Sequence, residues 1–281
     1  MKKVKVKAPS KINLTLDVGP LYNGYHPICS LVSMIDVCDE IELVKRTDRK
    51  ITLTEKGLST GCDITENNAF KATKAFIEKF DTCGVDIFLN KKIPIAGGLG
   101  GSSADIAGVL NGLKKLFKIE DSVTDISDAL ASDATYMLKC GYAVISDRGN
   151  TVRFLDINKA LYLNLITNRK QITARDCYKA FDGIGKVEEG VTEKAVNALF
   201  SGDDNKFFSL LSNGLYNASL TFIPELASEI EDLEKTGAKA SLMTGSGSVV
   251  YGVYLTEKER NTAYQTLYEK YGNRIIKCKT I

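Results

Sequence analysis

A glycine-rich segment that separates a strand pattern from a helical pattern is the feature that most constrains this chain. It reads PIAGGLGGSSAD from Pro94 to Asp105, with four glycines and two serines in the eight positions that begin at Gly97. Glycine lets a backbone approach an anion closely, and a helix N-terminus presents N–H groups that lack intrahelical partners. The segment therefore predicts a phosphate-binding loop. The alternative is a tight turn that only packs a helix against a sheet.

Two common nucleotide-binding motifs do not fit this segment. A P-loop ends in Gly-Lys followed by Ser or Thr, and no such triplet closes the segment. The dinucleotide fingerprint requires a third glycine at the position of Ser103, after Gly98 and Gly100. The sequence thus predicts a phosphate site of another class.

Apolar periodicity predicts a mixture of short strands and helices. Alternation with period two predicts strands at 4–6, 12–18, 39–45, 51–54, 85–89, 142–146, 152–155, 161–166, 249–254 and 274–279. Helical spacing predicts helices at 70–80 (capped by Asn67 or Asn68), 102–117, 121–131, 176–181, 192–200, 205–211, 224–235 and 256–271. This mixture favours the α+β class over a doubly wound parallel sheet. The pattern changes near residue 157, which predicts two domains that meet between residues 150 and 160.

Composition excludes several classes of protein. His26 is the single histidine, so a histidine-rich metal site is excluded and any Ser-His-Asp triad would have to use it. The seven cysteines show no C-x-x-C spacing, which predicts reduced thiols. A formal net charge of +2 argues against bulk electrostatic binding of nucleic acid. The sequence lacks an apolar signal-peptide core and any run of about 18 apolar residues, so we expect a soluble cytoplasmic protein.

The first strands place two polar side chains on one face. In an extended chain Lys11 and Asn13 point to the same side, opposite Ile12 and Leu14. A lysine in this position either serves a binding site or lies on a solvated outer face. The spacing leaves both interpretations open.

Three other segments are candidates for a site. Asn23-Gly24-Tyr25-His26 is a turn that suits either a base-stacking platform or simple packing. Asp133 follows a predicted helix, where an aspartate is a catalytic group or, more commonly, a cap or surface residue. Thr244–Ser248 is a second turn of small residues, which either lines a nucleotide or substrate pocket or is a simple tight turn.

Taken together and in this order, these segments resemble the GHMP kinases, a superfamily of small-molecule kinases that includes galactokinase, homoserine kinase and mevalonate kinase. The stretch Ala8–Val18, the turn Asn23–His26 and the strand Asp39–Leu43 carry the most specific part of the resemblance. The glycine-rich segment and the turn Thr244–Ser248 are shared across the superfamily. The resemblance covers nearly the whole chain.

The resemblance implies a fold and a reaction. The implied fold is α+β, with an N-terminal ATP-binding domain over residues 1–155, a C-terminal domain over residues 156–281 and the active site in the interdomain cleft. The implied reaction transfers the γ-phosphate of ATP, with Mg²⁺, to the 2-hydroxyl of the cytidine diphosphate derivative of 2-C-methyl-D-erythritol, in non-mevalonate isoprenoid biosynthesis. The implied partners are ATP and this cytidine diphosphate sugar alcohol, with no nucleic acid and no membrane, for a monomer or weak homodimer.

The resemblance also implies roles for individual residues. Lys11 and Asp133 are implied to be the catalytic lysine and aspartate. Asn13, Tyr25 and His26 are implied to lie at the substrate, with Tyr25 stacked on the cytosine and His26 hydrogen-bonded to it. The implied ATP-binding residues, here called the glycine loop, are Pro94, Ile95, Ala96, Gly97, Gly98, Leu99, Gly100, Gly101, Ser102, Ser103 and Ala104. The ligands of Mg²⁺ stay open.

The chain departs from the family pattern at several positions. Ser102 stands where the family has glycine, Ala104 stands where it has serine, and the segment before His26 lacks an arginine and an aspartate. Two alternatives therefore stay open, a GHMP kinase that acts on a different small alcohol and a non-catalytic nucleotide-binding homologue. The aromatic pair of Tyr25 and His26 argues against the first, and the presence of Lys11 and Asp133 at the implied catalytic positions argues against the second.

Overall fold

The computed structural model describes residues 2–59, 61–184 and 189–281. Within these residues the strands are β1 Lys3–Asn13, β2 Thr15–Val18, β3 Ile28–Lys45, β4 Ile51–Gly57, β5 Val85–Lys91, β6 Tyr142–Asp147, β7 Thr151–Leu155, β8 Tyr162–Ile166, β9 Ser212–Asn213, β10 Ala240–Met243, β11 Val250–Tyr254 and β12 Ile275–Lys279. The α-helices are α1 Asn68–Phe80, α2 Gly101–Phe117, α3 Thr124–Leu130, α4 Ala134–Met137, α5 Ala174–Ile184, α6 Val191–Ser201, α7 Asp204–Ser209, α8 Tyr216–Leu220, α9 Glu225–Lys235 and α10 Glu257–Tyr271.

The chain divides into two compact units that are not continuous in sequence. The first unit comprises the described residues of Met1–Ser10, Val37–Ile95 and Gly100–Cys140. The second unit comprises those of Lys11–Asp36, Ala96–Leu99 and Gly141–Ile281. The predicted division at residue 155 follows chain order, whereas β1, β3 and the glycine loop each contribute residues to both units. The domain boundary at residue 155, which the family resemblance implies, stays a prediction.

The first unit packs helices against a sheet. β4 runs parallel to β5, and β5 runs antiparallel to the C-terminal part of β3. Helix α2 lies close to this sheet because it presents glycines to it. A Cβ at Gly108 would lie 2.8 Å from the Ala8 Cβ, and one at Gly112 would lie 2.7 Å from the Leu43 Cδ1. Larger side chains would push α2, and the glycine loop that precedes it, away from the sheet.

The start of α1 confirms a capping prediction. Asn67 has extended backbone angles, and its side-chain oxygen accepts a hydrogen bond of 2.9 Å from the N–H of Ala69. This satisfies one of the N–H groups that the first turn of a helix leaves without a partner.

The second unit contains the N-terminal part of β3, the hairpin of β6 and β7, and a separate antiparallel sheet. β6 pairs with β3 from Ile28 to Ser33, and β7 pairs with β6. The separate sheet has the order β10-β11-β8-β12. Its buried residues form a core with α5, α8, α9 and α10 that includes Ile166, Phe181, Leu215, Leu226, Leu233, Met243, Val250, Leu267 and Ile275.

The α+β class is confirmed, and so are most of the predicted elements. The short elements α4, α8, β9 and β10 are missing from the prediction, because two to five residues show too little periodicity. The N-terminal part of β3 is also missing from it. Residues 30–35 are all buried, and a strand buried on both faces does not alternate. None of the described helices has the length and hydropathy needed to cross a bilayer, and none of the seven cysteines, all of them in the described ranges, forms a disulfide bond.

Candidate functional site

The glycine loop contains a series of left-handed residues that ends at a helix. Ala96, Gly98 and Gly100 have φ angles of 52°, 75° and 70°. Gly100 is the N-cap of α2, and the N–H of Ala104 donates to its carbonyl at 2.8 Å. The amides that precede Ala104 in the first turn of α2 are therefore available to an anion, and the positive end of the helix dipole favours negative charge there.

A second turn holds the middle of the glycine loop by hydrogen bonds. The Thr244 hydroxyl donates to the Gly98 carbonyl at 3.3 Å, and the Ser248 N–H donates to the Ala96 carbonyl at 3.4 Å. The predicted turn Thr244–Ser248, here called the Thr244 turn, therefore does more than connect β10 to β11. It supports the backbone of the glycine loop.

The two turns approach so closely that Gly98 has no space for a side chain. A Cβ at Gly98 would lie 2.0 Å from the Thr244 carbonyl oxygen, and a Cβ at Gly245 would lie 3.0 Å from the Gly98 carbonyl oxygen. Both glycines also have positive φ angles, 75° and 56°. Glycine is therefore required at Gly98 for steric and conformational reasons, and it is favoured at Gly245 by its backbone conformation and a tight contact.

Lys11 and Asn13 are buried and joined to these turns. The Lys11 ammonium donates to the Asn13 side-chain oxygen at 2.6 Å, and the Asn13 amide group donates to the Ser30 hydroxyl at 2.8 Å. The Lys11 N–H donates to the Leu99 carbonyl at 3.0 Å, and the Asn13 N–H donates to the Thr244 hydroxyl at 3.1 Å. With exposures of 5% and 2%, Lys11 and Asn13 do not lie on a solvated outer face, so that alternative is wrong.

Two positioning residues of this region have no strong signal in the sequence. The Asn213 side chain donates to the carbonyls of Met243 and Gly245, at 2.7 and 2.9 Å, and so holds the Thr244 turn. The Tyr251 hydroxyl donates to the Asn13 carbonyl at 2.7 Å. Asn213 belongs to a two-residue strand that no periodicity reveals, and Tyr251 looks like an ordinary core residue in the sequence.

Asp133 belongs to the first unit and directly precedes α4. It is half-buried, and its carbonyl accepts the Met137 N–H at 3.1 Å. Its carboxylate makes no capping hydrogen bond to α4, so the capping alternative is wrong.

The two serines of the glycine loop differ in their surroundings. The Ser102 hydroxyl is exposed and accepts a hydrogen bond of 2.6 Å from the Asn68 side chain, which begins α1. A hydroxyl that accepts one hydrogen bond keeps its own proton for donation to a phosphate. Ser103 is 8% exposed. The serine that replaces a family glycine at position 102 is thus engaged with α1 and still able to donate.

Tyr25 closes a two-residue hairpin. The backbones of Tyr22 and Tyr25 exchange hydrogen bonds of 2.8 and 3.1 Å, while Asn23 and Gly24 between them have positive φ angles. An Asn-Gly pair is the preferred sequence for such a turn. The guanidinium carbon of Arg148 lies 4.0 Å from the centre of the Tyr25 ring.

The ring of His26 is held from several sides. Its Nδ1 lies 2.8 Å from the Gly19 carbonyl oxygen, and its Nε2 lies 2.9 Å from a carboxylate oxygen of Asp182. The ring also stacks on Tyr178, with centroids 5.8 Å apart, and meets Phe181 edge-on. The histidine therefore has a defined orientation next to helix α5.

Tyr25 and His26 line a common cavity of about 600 Å³ in the second unit, here called the Tyr25 cavity. Its other lining residues are Leu21, Gly24, Ile28, Arg148, Arg175, Tyr178, Lys179 and Asp182. Sequence reasoning missed Arg175, Lys179 and Asp182 of α5. Their spacing of i, i+4 and i+7 was the available signal, because residues at that spacing share one helix face.

The described residues contain no cluster of three or more His, Cys, Asp or Glu side chains that could hold a metal ion. Mg²⁺ commonly binds through one or two carboxylates together with phosphate oxygens of a substrate. A magnesium ion that enters with a nucleotide needs no such cluster.

The fold and these turns define the class of protein. The family model described as GHMP kinases N terminal domain matches residues 67–143, and the one described as GHMP kinases C terminal matches residues 195–273. A crystal structure of homoserine kinase from Cytophaga hutchinsonii superposes with a TM-score of 0.74, at 17% identity over 100% of this chain and 95% of that chain. The chain belongs to the GHMP kinases and is a small-molecule kinase.

Similar proteins within that family carry a common name. A 4-diphosphocytidyl-2-C-methyl-D-erythritol kinase of Macrococcus caseolyticus is 32% identical over 92% of this chain and 93% of that protein. One from Bacillus cereus is 30% identical over 94% of this chain and 93% of that protein. A crystal structure of a 4-(cytidine 5'-diphospho)-2C-methyl-D-erythritol kinase has the same fold, with a TM-score of 0.83 and 24% identity over 98% of both chains.

Proposed function

We propose that the protein transfers the γ-phosphate of ATP to the 2-hydroxyl of 4-diphosphocytidyl-2-C-methyl-D-erythritol, in non-mevalonate isoprenoid biosynthesis. The relatives named as this kinase match more than nine tenths of the chain. The observation that carries the proposal to this substrate is the Tyr25 cavity, which combines aromatic faces with an excess of cationic side chains.

The Tyr25 cavity suits the cytidine diphosphate part of the substrate. The Tyr25 ring offers a face for the cytosine, and stacking of a base on an aromatic side chain contributes about 1–3 kcal/mol. His26 hydrogen-bonds to the base when its Nε2 exchanges the exposed Asp182 carboxylate for the base, and Asn13 contacts the substrate as well. The cavity is lined by three cationic side chains, Arg148, Arg175 and Lys179, against the single carboxylate of Asp182. That excess of positive charge suits a diphosphate.

The glycine loop suits the triphosphate of MgATP. The first-turn amides of α2 bind phosphate oxygens, and the Ser102 hydroxyl adds a donor. Mg²⁺ is part of the nucleotide substrate and offsets its charge. The hydrogen bonds from the Thr244 turn hold the middle of the loop, which lowers the ordering entropy that nucleotide binding costs.

Asp133 and Lys11 carry the chemistry in this proposal. The Asp133 carboxylate accepts the proton of the attacking hydroxyl. The Lys11 ammonium stabilises negative charge that grows on the oxygens of the transferred phosphoryl group. Phosphoryl transfer depends on positioning and on such charge stabilisation more than on covalent catalysis.

A coupled assay of ADP release tests the proposal. The purified protein receives ATP, Mg²⁺ and 4-diphosphocytidyl-2-C-methyl-D-erythritol, beside the variant Asp133→Asn. We expect turnover by the native protein and a loss of about 10²–10⁴-fold in kcat for the variant, because a positioned general base contributes that much. ATP binding, measured by calorimetry, is retained. Asp128→Asn, which removes an exposed aspartate of the nearby helix α3, is the matched control and keeps full activity.

Other outcomes point to the alternatives. Turnover of homoserine, mevalonate or galactose in place of the cytidine substrate contradicts the proposed acceptor and leaves a GHMP kinase of another specificity. Calorimetric binding of ATP without turnover of any alcohol indicates the non-catalytic homologue. Near-normal turnover of Asp133→Asn removes Asp133 as the base while the proposed reaction stands.

We also propose a cytoplasmic location and a monomer or weak homodimer, without nucleic acid or membrane partners. ATP and a soluble diphosphate substrate are available in the cytoplasm. Sedimentation of the purified protein over a hundredfold concentration range measures its oligomeric state, and a stable higher oligomer would contradict that part of the proposal.

A further inference from the structure

A buried ion cluster in the first unit has no part in the chemistry described so far. It consists of Lys91, Asp39 and Asp105, here called the Lys91 cluster, whose side chains are 3%, 0% and 5% exposed. Asp39 lies on β3, Lys91 is the last residue of β5, and Asp105 is the fifth residue of α2. Charged residues are seldom buried so completely, so the cluster calls for an explanation.

The cluster connects the two ends of the glycine loop. The Lys91 ammonium donates to carboxylate oxygens of both Asp39 and Asp105, and the bond to Asp105 is 2.6 Å long. The other oxygen of Asp39 accepts the backbone N–H groups of Lys92 and Ile93, at 2.5 and 2.8 Å. Lys92 and Ile93 directly precede the loop, and Asp105 directly follows it. One ammonium group therefore ties the entry of the loop to its exit.

The Lys91 ammonium also lies close to the start of α2, within the glycine loop. It would be 3.7 Å from a Cβ placed on Gly101, the residue that begins α2. A displacement of Lys91 would therefore alter the first turn of α2, whose amides face the phosphates in the proposed function.

Stability alone does not account for such a cluster. Removing three charged groups from water is costly, and apolar residues of similar volume often stabilise a protein as well or better. One oxygen of Asp105 also lacks a hydrogen-bond partner, which is a further cost. A buried ion network gives each bond a defined direction, which an apolar cluster does not. In the Lys91 cluster these bonds reach the two ends of the glycine loop.

The protonation of the cluster agrees with this geometry. Burial raises the pKa of Asp105 to about 7, an effect that Lys91 opposes and Asp39 increases. Burial lowers the pKa of Lys91, but the two carboxylates outweigh it, so the pKa is raised overall and the ammonium stays charged. Lys91 thus keeps its donors for both carboxylates.

We propose that the Lys91 cluster positions the glycine loop for nucleotide binding, with Lys91 as the positioning residue that sets the distance between the loop entry and the first turn of α2. This rests on the proposed function of the loop as the ATP site, and it assigns the cluster no contact with ATP. Loss of the cluster weakens nucleotide binding and leaves the Tyr25 cavity unaffected.

The test compares Lys91→Met with Lys92→Met. Both changes remove an ammonium group, but Lys92 is half-exposed and pairs with the exposed Glu40. Calorimetry with Mg²⁺ and a non-hydrolysable ATP analogue measures binding without an acceptor substrate. We expect at least about tenfold weaker binding for Lys91→Met, because small displacements of positioning groups are costly, and less than a twofold change for Lys92→Met. In the coupled assay, KM for ATP rises and KM for the cytidine substrate changes less than twofold.

A double variant separates positioning from stability. Lys91→Met combined with Asp105→Leu removes the ammonium and the carboxylate together, while Asp39 keeps its two backbone N–H donors. We expect this variant to recover part of the melting temperature lost in Lys91→Met, because one of the two carboxylates left without their ammonium is gone, and to retain the weak nucleotide binding. It also serves if Lys91→Met alone does not fold.

Two results overturn the proposal. One is that folded Lys91→Met binds the analogue as tightly as the native protein does. The other is that the double variant regains native analogue binding together with stability, because the cluster then acts only by keeping the protein folded. The binding measurement does not depend on the acceptor, so a failed cytidine substrate and a failed positioning role give different results.

Discussion

The glycine loop and the Tyr25 cavity are built in opposite ways. The loop takes its shape from backbone: left-handed residues, amides at a helix start, and a contact with the Thr244 turn that leaves no space for a Cβ. The cavity takes its shape from side chains that three separate segments supply, around Tyr25, Arg148 and helix α5. A phosphate can be held by any correctly placed N–H groups, whereas a nucleobase and its diphosphate need particular side chains.

This difference predicts how each region responds to substitution. A change in the loop that adds one carbon atom disturbs the backbone and therefore the fold as well as the nucleotide. A change in the cavity removes one interaction with the acceptor and leaves the fold intact. Substitutions in the two regions should therefore separate ATP from the acceptor substrate.

The substitution Gly98→Ala has the largest expected effect. The added Cβ would meet the Thr244 carbonyl oxygen at 2.0 Å, and the residue has a φ angle of 75°. We expect a loss of at least about 3 kcal/mol in unfolding free energy and loss of measurable ATP binding. Urea denaturation and calorimetry provide the two measurements.

Gly202→Ala is the matched control for that change. Gly202 has a similar φ angle of 71°, and nothing lies within 4 Å of the added Cβ. It should lose only the cost of a left-handed alanine, about 1–2 kcal/mol, and keep ATP binding. Equal losses of unfolding free energy in both variants would mean that backbone strain, and not the contact between the two turns, makes Gly98→Ala destabilising.

An intermediate effect is expected for Tyr25→Leu. The change keeps apolar volume and removes the aromatic face, so KM for the cytidine substrate should rise about 10- to 100-fold, as expected for the loss of one stacked base. KM for ATP should stay within twofold. Steady-state kinetics with each substrate varied in turn measures both.

Tyr22→Leu controls for the hairpin itself. Tyr22 is 62% exposed, meets Tyr25 edge-on and does not line the cavity. Its substitution should leave both KM values unchanged. A rise in both KM values for Tyr25→Leu would contradict the expectation that the cavity affects only the acceptor and the glycine loop only ATP.

The smallest expected effect, taken for each unit of pH, concerns the pH dependence of stability and the substitution Asp105→Asn. The pKa of Asp105 is raised from 3.8 to about 7, so between these values the folded protein holds a proton that the unfolded chain has released. Its contribution to unfolding free energy therefore falls as pH rises through this window, by at most about 1.4 kcal/mol per pH unit. The variant lacks this contribution, so its stability relative to the native protein should increase from pH 4 to pH 7.

Urea denaturation at several pH values measures how the unfolding free energy of the native protein and of Asp105→Asn changes with pH. Asp128→Asn, at an exposed position on α3, should follow the native protein throughout. Parallel slopes for the native protein and Asp105→Asn would contradict a buried carboxyl that titrates near neutrality.

Much of the fold follows from local patterns. Helices α1, α2 and α10 are predicted from their periodicity, and α1 also from its asparagine cap. The structure adds a full capping box of Thr256 with Glu259 at the start of α10. The elements that escape prediction are short, or, as in the N-terminal part of β3, buried on both faces. Their signals depend on neighbours that are distant in sequence.

The candidate site divides in the same way. The glycine loop, Lys11 with Asn13, and the turn at Tyr25 are visible in the sequence because they are contiguous motifs with a physical meaning. The cations of the Tyr25 cavity lie more than 100 residues from Tyr25, and Asn213 lies 30 residues before Met243, whose carbonyl it holds, so no local pattern joins these residues to the site. In the sequence Lys91 looks like a solvated lysine at the end of a strand. Only the structure shows that it pairs with the buried carboxylates of Asp39 and Asp105.

The sequence by itself therefore determined what depends on local backbone chemistry, the α+β class and the asparagine cap of α1, and it predicted the phosphate-binding character of the glycine loop. Only the tertiary structure decided that Lys11 and Asn13 are buried together, that the Thr244 turn supports the loop by backbone contact, and that Lys91 joins both loop ends. The reason is physical. Conformational preferences act between residues that are near in the chain, whereas burial, ion pairing and steric exclusion depend on which distant residues share the same space.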